Sequence, residues 1–305
     1  MPQRVIITGG TGFIGSYLCR DLVASGYDVI VLTRNPDTAR VPKGVRAVAW
    51  DGSSAKGWLR YAEKSFAIIN LAGDNIAGGR WTAKKKKRIV ESRINAGRAV
   101  ADAVKKVKKK PKVIVQASAV GYYGNRGYEI VNENAAHGNG FLAGVVRAWE
   151  ASSMDAEQRG VRRVIIRSGV VLGGDGGMFE RLAPAFRLFA GGVPGSGRQW
   201  VSWIHIADEV RAIRFLTENK NARGVFNLTS PNPVPAYEFY RSMGALLRRP
   251  VWAPLKAPLL RLALGEMADE MILSGQRVVP SRLLELGFSF AYPGLSDALR
   301  GLARK

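Results

Sequence analysis

The chain has 305 residues, 47% hydrophobic and 23% charged, an ordinary globular composition that excludes a disordered or collagen-like polymer. One cysteine, Cys19, and two histidines, His137 and His205, exclude an internal disulfide and a metal cluster of recognisable spacing, and no apolar run approaches the roughly 18 residues of a membrane span. Lysine and arginine outnumber aspartate and glutamate 46 to 24, a net +22, so partners of opposite charge have to be weighed from the start.

In chain order, Arg4 to Thr8 reads as a first strand and Tyr17 to Ser25 as a helix stopped by Gly26. Asp28 to Thr33, Val45 to Trp50, Ala67 to Leu71, Val113 to Ala117 and Val164 to Arg167 are the following strands, with helices over 83–109 and 141–158. This alternation predicts an α/β protein: a Rossmann doubly wound parallel sheet with a smaller C-terminal substrate domain. The composition changes after Gly173, first to a Gly- and Trp-rich stretch and then to a proline-studded segment over 231–258. We therefore expect residues 1–175, with about 204–230 returning, to form the dinucleotide-binding domain. Residues 176–203 and 231–305 form the smaller one.

Ten of the net 22 positive charges lie in two short runs, Lys84 to Arg88 and Lys105 to Lys110. Both read as solvated helix surface, the second just before Pro111, where a helix would end and its cations would meet the helix dipole. No zinc-finger, basic-zipper or RNA-binding aromatic pattern accompanies them, so no specific nucleic acid is expected. The expected partners are a small-molecule substrate and, in a homodimer, a second copy, with a cytoplasmic location and no metal.

The strongest chemical signal is Thr8-Gly9-Gly10-Thr11-Gly12-Phe13-Ile14-Gly15, placed between the first strand and the first helix, where a dinucleotide fingerprint has to lie. Gly9 permits the tight turn, Gly12 lets backbone approach a pyrophosphate, Gly15 allows close packing, and Phe13 and Ile14 open the helix whose N-terminus attracts the anion. The end of the second strand carries Thr33-Arg34 and no carboxylate. A fork of guanidinium N–H groups there suits a 2′-phosphate, so NADP(H) is the expected cofactor. Asp51 after the third strand is placed to accept from an adenine amino group, and Leu71, Ala72 and Gly73 lie where the cofactor crosses the sheet edge.

The segments NLAGDNIAGGRW (70–81), SRINAGR (92–98), QASAVGYYG (116–124), RSGVVLG (167–173), QWVSWIHIAD (199–208) and RLALGEMADEMILSGQRVVPSRLLELGFSFAYPGL (261–295) resemble the nucleoside-diphosphate-sugar epimerase-like branch of the extended, atypical short-chain dehydrogenase/reductases. The last of them is similar to a small C-terminal domain peculiar to that branch. The resemblance implies a Ser or Thr, a Tyr and a Lys as the catalytic set. Ser118 matches the first, although an alternative register puts Ala119 there. Leu142 and Val146 stand where the Tyr and the Lys would fall, and neither side chain can move a proton. Arg93 replaces an Asn common in the family, and Gly97 replaces a Thr.

A rearranged site would use Tyr122 or Tyr123, beside Ser118, with Tyr122 the first choice and Arg93 lowering its pKa or stabilising an oxyanion. Arg80 and Trp81, the run Arg198-Gln199-Trp200, and His205 are expected on the substrate side, because arginine with aromatics suits an anionic or ring-bearing ligand. Two functions follow as expectations. One is an NADP(H)-dependent oxidoreductase or epimerase acting on a sugar nucleotide or another small carbonyl or hydroxyl compound. The other is a non-catalytic NADPH-binding redox sensor.

Overall fold

The computed structural model describes residues 2–251 and 254–303. Seven strands make the central sheet: β1 (Arg4–Thr8), β2 (Asp28–Thr33), β3 (Val45–Ala49), β4 (Ala67–Asn70), β5 (Val113–Ala119), β6 (Arg162–Ser168) and β7 (Gly224–Leu228). All pair in parallel, in the spatial order β7-β6-β5-β4-β1-β2-β3. Their near-continuous Val and Ile runs are what a sheet buried on both faces requires. Ile7, Val31, Ile69, Val115 and Ile166 belong to the apolar layer on one face, and Ile6, Ile30, Ile68 and Ile114 to the layer on the other. The chain reverses its direction of winding between β1 and β4. In open α/β sheets the ligand crevice lies at such a reversal, outside the carboxyl ends of the strands.

Besides a single turn at Leu59–Ala62, the α-helices of the first half are α1 (Phe13–Ala24), α2 (Ala83–Lys106), α3 (Phe141–Ala151) and α4 (Met154–Gln158). Three expectations are corrected. The first helix begins at Phe13, not Tyr17, because Gly12 is its N-cap. The helix expected over 141–158 is two, broken at Ser152-Ser153. The second basic run leaves its helix at Lys106, and the backbone N–H groups of Lys108 and Lys109 donate to the Glu63 carboxylate. Lys85 of the first run is not solvated either: it is buried, 2.7 Å from Asp74.

The second half adds α5 (Gly177–Arg187), α6 (Ile206–Glu218), α7 (Ala236–Leu247), α8 (Ala257–Leu264), α9 (Glu266–Met271) and α10 (Leu295–Ala303). Of these, α6 packs against α1 on the sheet. Phe179, Phe186, Phe239, Met243 and Leu299 of α5, α7 and α10, with Trp203 of the short strand Trp203–His205, build a separate apolar core. That second core stands over the carboxyl ends of the strands and forms one wall of the crevice.

Candidate active site

The glycine cradle has the geometry that a dinucleotide needs. Gly9 adopts φ +69°, and a Cβ there would lie 2.9 Å from the carbonyl of Leu71. A Cβ on Gly15 would lie 2.3 Å from the Gly9 carbonyl oxygen. These contacts hold β1, the β4 edge and α1 together. No side chain caps α1, and its first turn carries no acid, so its leading N–H groups are free to meet an anion, which the helix dipole favours. Phe13 seats its ring against Gly173, Gly176 and Gly177, where any Cβ would come within 3 Å of it. Ile14 packs on the core. Thr8 Oγ1 donates to Asn70 Oδ1 and accepts from Ala72 N, which fixes the Leu71-Ala72-Gly73 edge beside the cradle.

Arg34, Asp51 and Lys56 line one open cavity of about 430 Å³ with Ala49, Trp50 and Gly57. Arg34 is exposed there, and Thr33 Oγ1 accepts from Asn35 N. Asp51 is less free than expected: it accepts from the N–H groups of Ser53 and Ser54 and from the Ser54 hydroxyl, and that last bond leads the causes that lower its pKa. It thereby fixes the loop that carries Lys56. Lys56 escaped the sequence reading because it lies in a loop after β3, with no spacing rule to mark it.

A second cavity, about 220 Å³, opens between the strand ends and the second core. Its floor comes from Ala119, Val120 and Gly121, one side from Leu142, Val145, Val146 and Trp149 of α3, and the far side from Ser168 to Val170, Met178, Gln199 to Ser202, and Glu270 to Ile272. Of the expected catalytic residues, Arg93 lines it and Ser118 and Tyr122 do not. Arg93 reaches it from α2. Its Nη1 donates to the carbonyls of Asp74 and Ile89, its guanidinium lies over the Trp149 ring, and burial lowers its pKa to about 10 against the pull of Asp74. Gly97, one turn further on, is needed for packing: a Cβ would lie 1.8 Å from Ser152 Oγ.

Ser118 points to the opposite face of β5. Its hydroxyl donates to Glu150, 2.5 Å away, and Arg167 clamps the same carboxylate through Nε and Nη2. Burial opposes the Arg167 charge, but the Glu150 bonds outweigh it and raise its pKa. Tyr122 lies with its ring 3.3 Å from the Arg167 guanidinium carbon and edge-on to Tyr123 and His137. Tyr123 is fully buried, donates to Asn227 and accepts from Arg167. The two glycine-flanked tyrosines thus enclose a buried ion pair behind the crevice. The hidden acid, Glu150, carried no motif that would have revealed it.

On the substrate side, Gln199 and Trp200 line the crevice; Arg80, Trp81, Arg198 and His205 do not. Trp81 donates to the Ile76 carbonyl and packs edge-on against Phe141, while Arg80 and Arg198 are exposed. His205 caps α6 by accepting from Ala207 N and lies 3.9 Å from the Tyr292 ring. No group of three or more metal-ligating side chains occurs among the described residues, and none of their helices is long and apolar enough to cross a membrane.

A parallel sheet with a diphosphate cradle at its first crossover, and a crevice beyond the strand ends, define a Rossmann-type dinucleotide-binding protein. The chain belongs to the NAD dependent epimerase/dehydratase family, whose signature spans residues 5–229, followed by a domain of unknown function, DUF1731, over 257–302. It is 41% identical to the epimerase family protein SDR39U1 homolog, chloroplastic, of Arabidopsis thaliana, over 98% of this chain and 86% of that one. Epimerase family protein YfhF of Bacillus subtilis is 39% identical, over 98% of both chains. The crystal structure of human epimerase family protein SDR39U1 (isoform 2) with NADPH superposes with a TM-score of 0.88 at 32% identity, covering 99% of this chain and 100% of that one.

Proposed function

We propose that the chain is an NADP(H)-dependent oxidoreductase or epimerase of a small carbonyl or hydroxyl compound. The observation that carries this reading is the pairing of an uncapped glycine cradle with a cavity at the β2 end that holds Arg34 and Lys56 and suits a 2′-phosphate. The solved human relative, which holds NADPH, supports it. Bound NADPH would supply a hydride to a carbonyl carbon and leave NADP⁺, while the carbonyl oxygen takes one proton to become a hydroxyl. The chain's own part is to hold the dinucleotide, exclude water and stabilise the oxygen as it becomes negative. Arg93 is the cation on the crevice wall and is assigned that electrostatic role. Ser118 and Tyr122, tied to Glu150 and Arg167, support the floor of the site.

Calorimetry of the purified protein with NADPH and NADH tests the cofactor, and absence of heat with both sinks the reading. Absorbance of bound NADPH and product analysis, with a panel of carbonyl compounds and sugar nucleotides, test the chemistry; a hidden epimerase restores its cofactor and shows only in the products. The sensor reading is favoured by Leu142 and Val146, which present apolar walls where the family's proton-transfer pair would be. It predicts tight NADPH binding with no oxidation and no altered product for any compound.

A further inference from the structure

We infer that the crevice is built for an uncharged, ring-bearing carbonyl compound with one or two rings, and not for a sugar nucleotide. This rests on the NADP(H) reading and narrows its substrate class. Size is the first argument. A cavity of about 150 Å³ is enough to enclose benzene, and this one holds about 220 Å³. Any share taken by a nicotinamide ring leaves less, which is ample for a substituted ring, whereas a base, ribose, diphosphate and hexose would have to extend beyond these walls.

The chemistry of the walls is the second argument. Most of the polar side chains on the lining are already engaged with the protein, the buried indole N–H groups of Trp149 and Trp200 being exceptions among the described residues. Ser168 Oγ donates to Glu209, Ser202 Oγ to the Gln276 carbonyl, Gln199 Nε2 to the carbonyls of Pro194 and Ile272, and Ser274 Oγ to the Glu270 carbonyl. The Glu270 carboxylate accepts from the N–H groups of Phe141 and Leu142. A hexose entering here would lose its hydration and find few partners beyond those two indole N–H groups, a cost of the order of 1–3 kcal/mol for each stranded hydroxyl. What remains for a ligand is apolar and aromatic surface, from Leu142, Val146, Met178 and Trp149 among others, which favours a ring.

Charge is the third argument. Arg93 is the one cation among the described lining residues, facing the one acid, Glu270, and its Nη1 is already bonded to two backbone carbonyls. A diphosphate calls for several charge-assisted donors. A single carbonyl oxygen needs only the partial neutralisation that one guanidinium supplies. Arg80 and Arg198, the arginines that could have served a phosphate from the sequence alone, stand off the lining.

Calorimetry with 1,4-naphthoquinone and with UDP-glucose, each on the NADP⁺-loaded protein, tests the assignment, with NADPH titrated separately into the free protein. Saturable naphthoquinone binding at least tenfold tighter than UDP-glucose, weakened tenfold or more in Met178→Asp while NADPH affinity stays within twofold, is the expected result. Equal or tighter binding of UDP-glucose overturns the inference. So does failure of naphthoquinone to bind wild-type protein that binds NADPH normally, and in that case the cofactor reading survives. Failure of NADPH itself removes the proposed function, whereas naphthoquinone binding by such protein would still uphold the crevice's preference. If Met178→Asp loses NADPH binding as well, Val170→Asp, on the same side of the crevice, takes its place in the same comparison, and unchanged quinone affinity there counts against the inference.

Discussion

Two adjacent carboxyl groups near the start of α6 have opposite surroundings. Asp208 is buried but accepts from the N–H groups of Ala291 and Tyr292 and from Arg211. Glu209 is equally buried, receives one bond from Ser168, and has no hydrogen-bond partner for Oε2 among the described residues. Burial pushes the Glu209 pKa up to about 8, against the Ser168 bond. The unfolded chain releases this proton near pH 4.3, so between there and pH 8 the folded state holds the extra proton and stability falls as pH rises, by at most about 1.4 kcal/mol per unit. Glu209→Gln should flatten that slope, which urea midpoints of both proteins at pH 5.5 and 7.5 will show; parallel slopes would refute the protonated state. Arg34→Ala should weaken NADPH by about ten- to a hundredfold, the worth of a charged hydrogen bond of roughly 1.5–3 kcal/mol, and leave NADH nearly unchanged. Lys56→Ala should act in the same direction, and calorimetry with both coenzymes measures each. Arg93→Met should lower turnover of a confirmed substrate by about 10²–10³, as loss of one oxyanion donor does, with Tyr122→Phe far milder; the reverse order would return the proton to the phenol. At this scale the glycines and Arg34 were legible because their spacing has a mechanism. Glu150, Lys56 and the orientation of Ser118 were not, because they depend on which face of β5 meets α3 and on how one loop closes.

At the scale of elements, α3 begins where a carboxylate from α9 meets it. Gly140 precedes the helix at φ +106°, and a Cβ there would fall 2.4 Å from Glu270 Oε1. Glu270 does from a distant part of the chain what an N-cap residue does locally. Glu270→Ala should therefore cost about 0.5–2 kcal/mol, read as a lowered urea midpoint, and it should also loosen the crevice wall that α3 provides. Sequence periodicity located six of the seven sheet strands to within a residue or two, since buried parallel strands are continuous β-branched runs, and it missed the edge strand β7 (Gly224–Leu228). It merged α3 with α4, because the break at Ser152-Ser153 comes from the close approach of Gly97 on α2, a tertiary contact with no local sign.

Across the whole molecule, the surplus of positive charge makes an attractive field for an anionic dinucleotide. Stopped-flow association of NADPH should slow several-fold as ionic strength rises from about 0.01 to 0.15 M, where the Debye length shrinks from about 30 to 8 Å; a flat response would leave the charge without this role. The doubly wound α/β class was readable from the alternation of strands and helices alone. The size of the crevice and the largely engaged state of its polar groups were not, since both arise only when segments from residues 76 to 276 converge.

Three acids, Glu133, Asp208 and Glu270, fasten the C-terminal segment to the sheet domain, each by gripping main-chain N–H groups across the junction. A main-chain donor is the same whatever residue carries it. Saturation mutagenesis should thus reveal a lopsided seam, in which the gripping acids resist replacement while positions 141, 142, 282, 291 and 292 tolerate wide variation insofar as their amides alone are at stake.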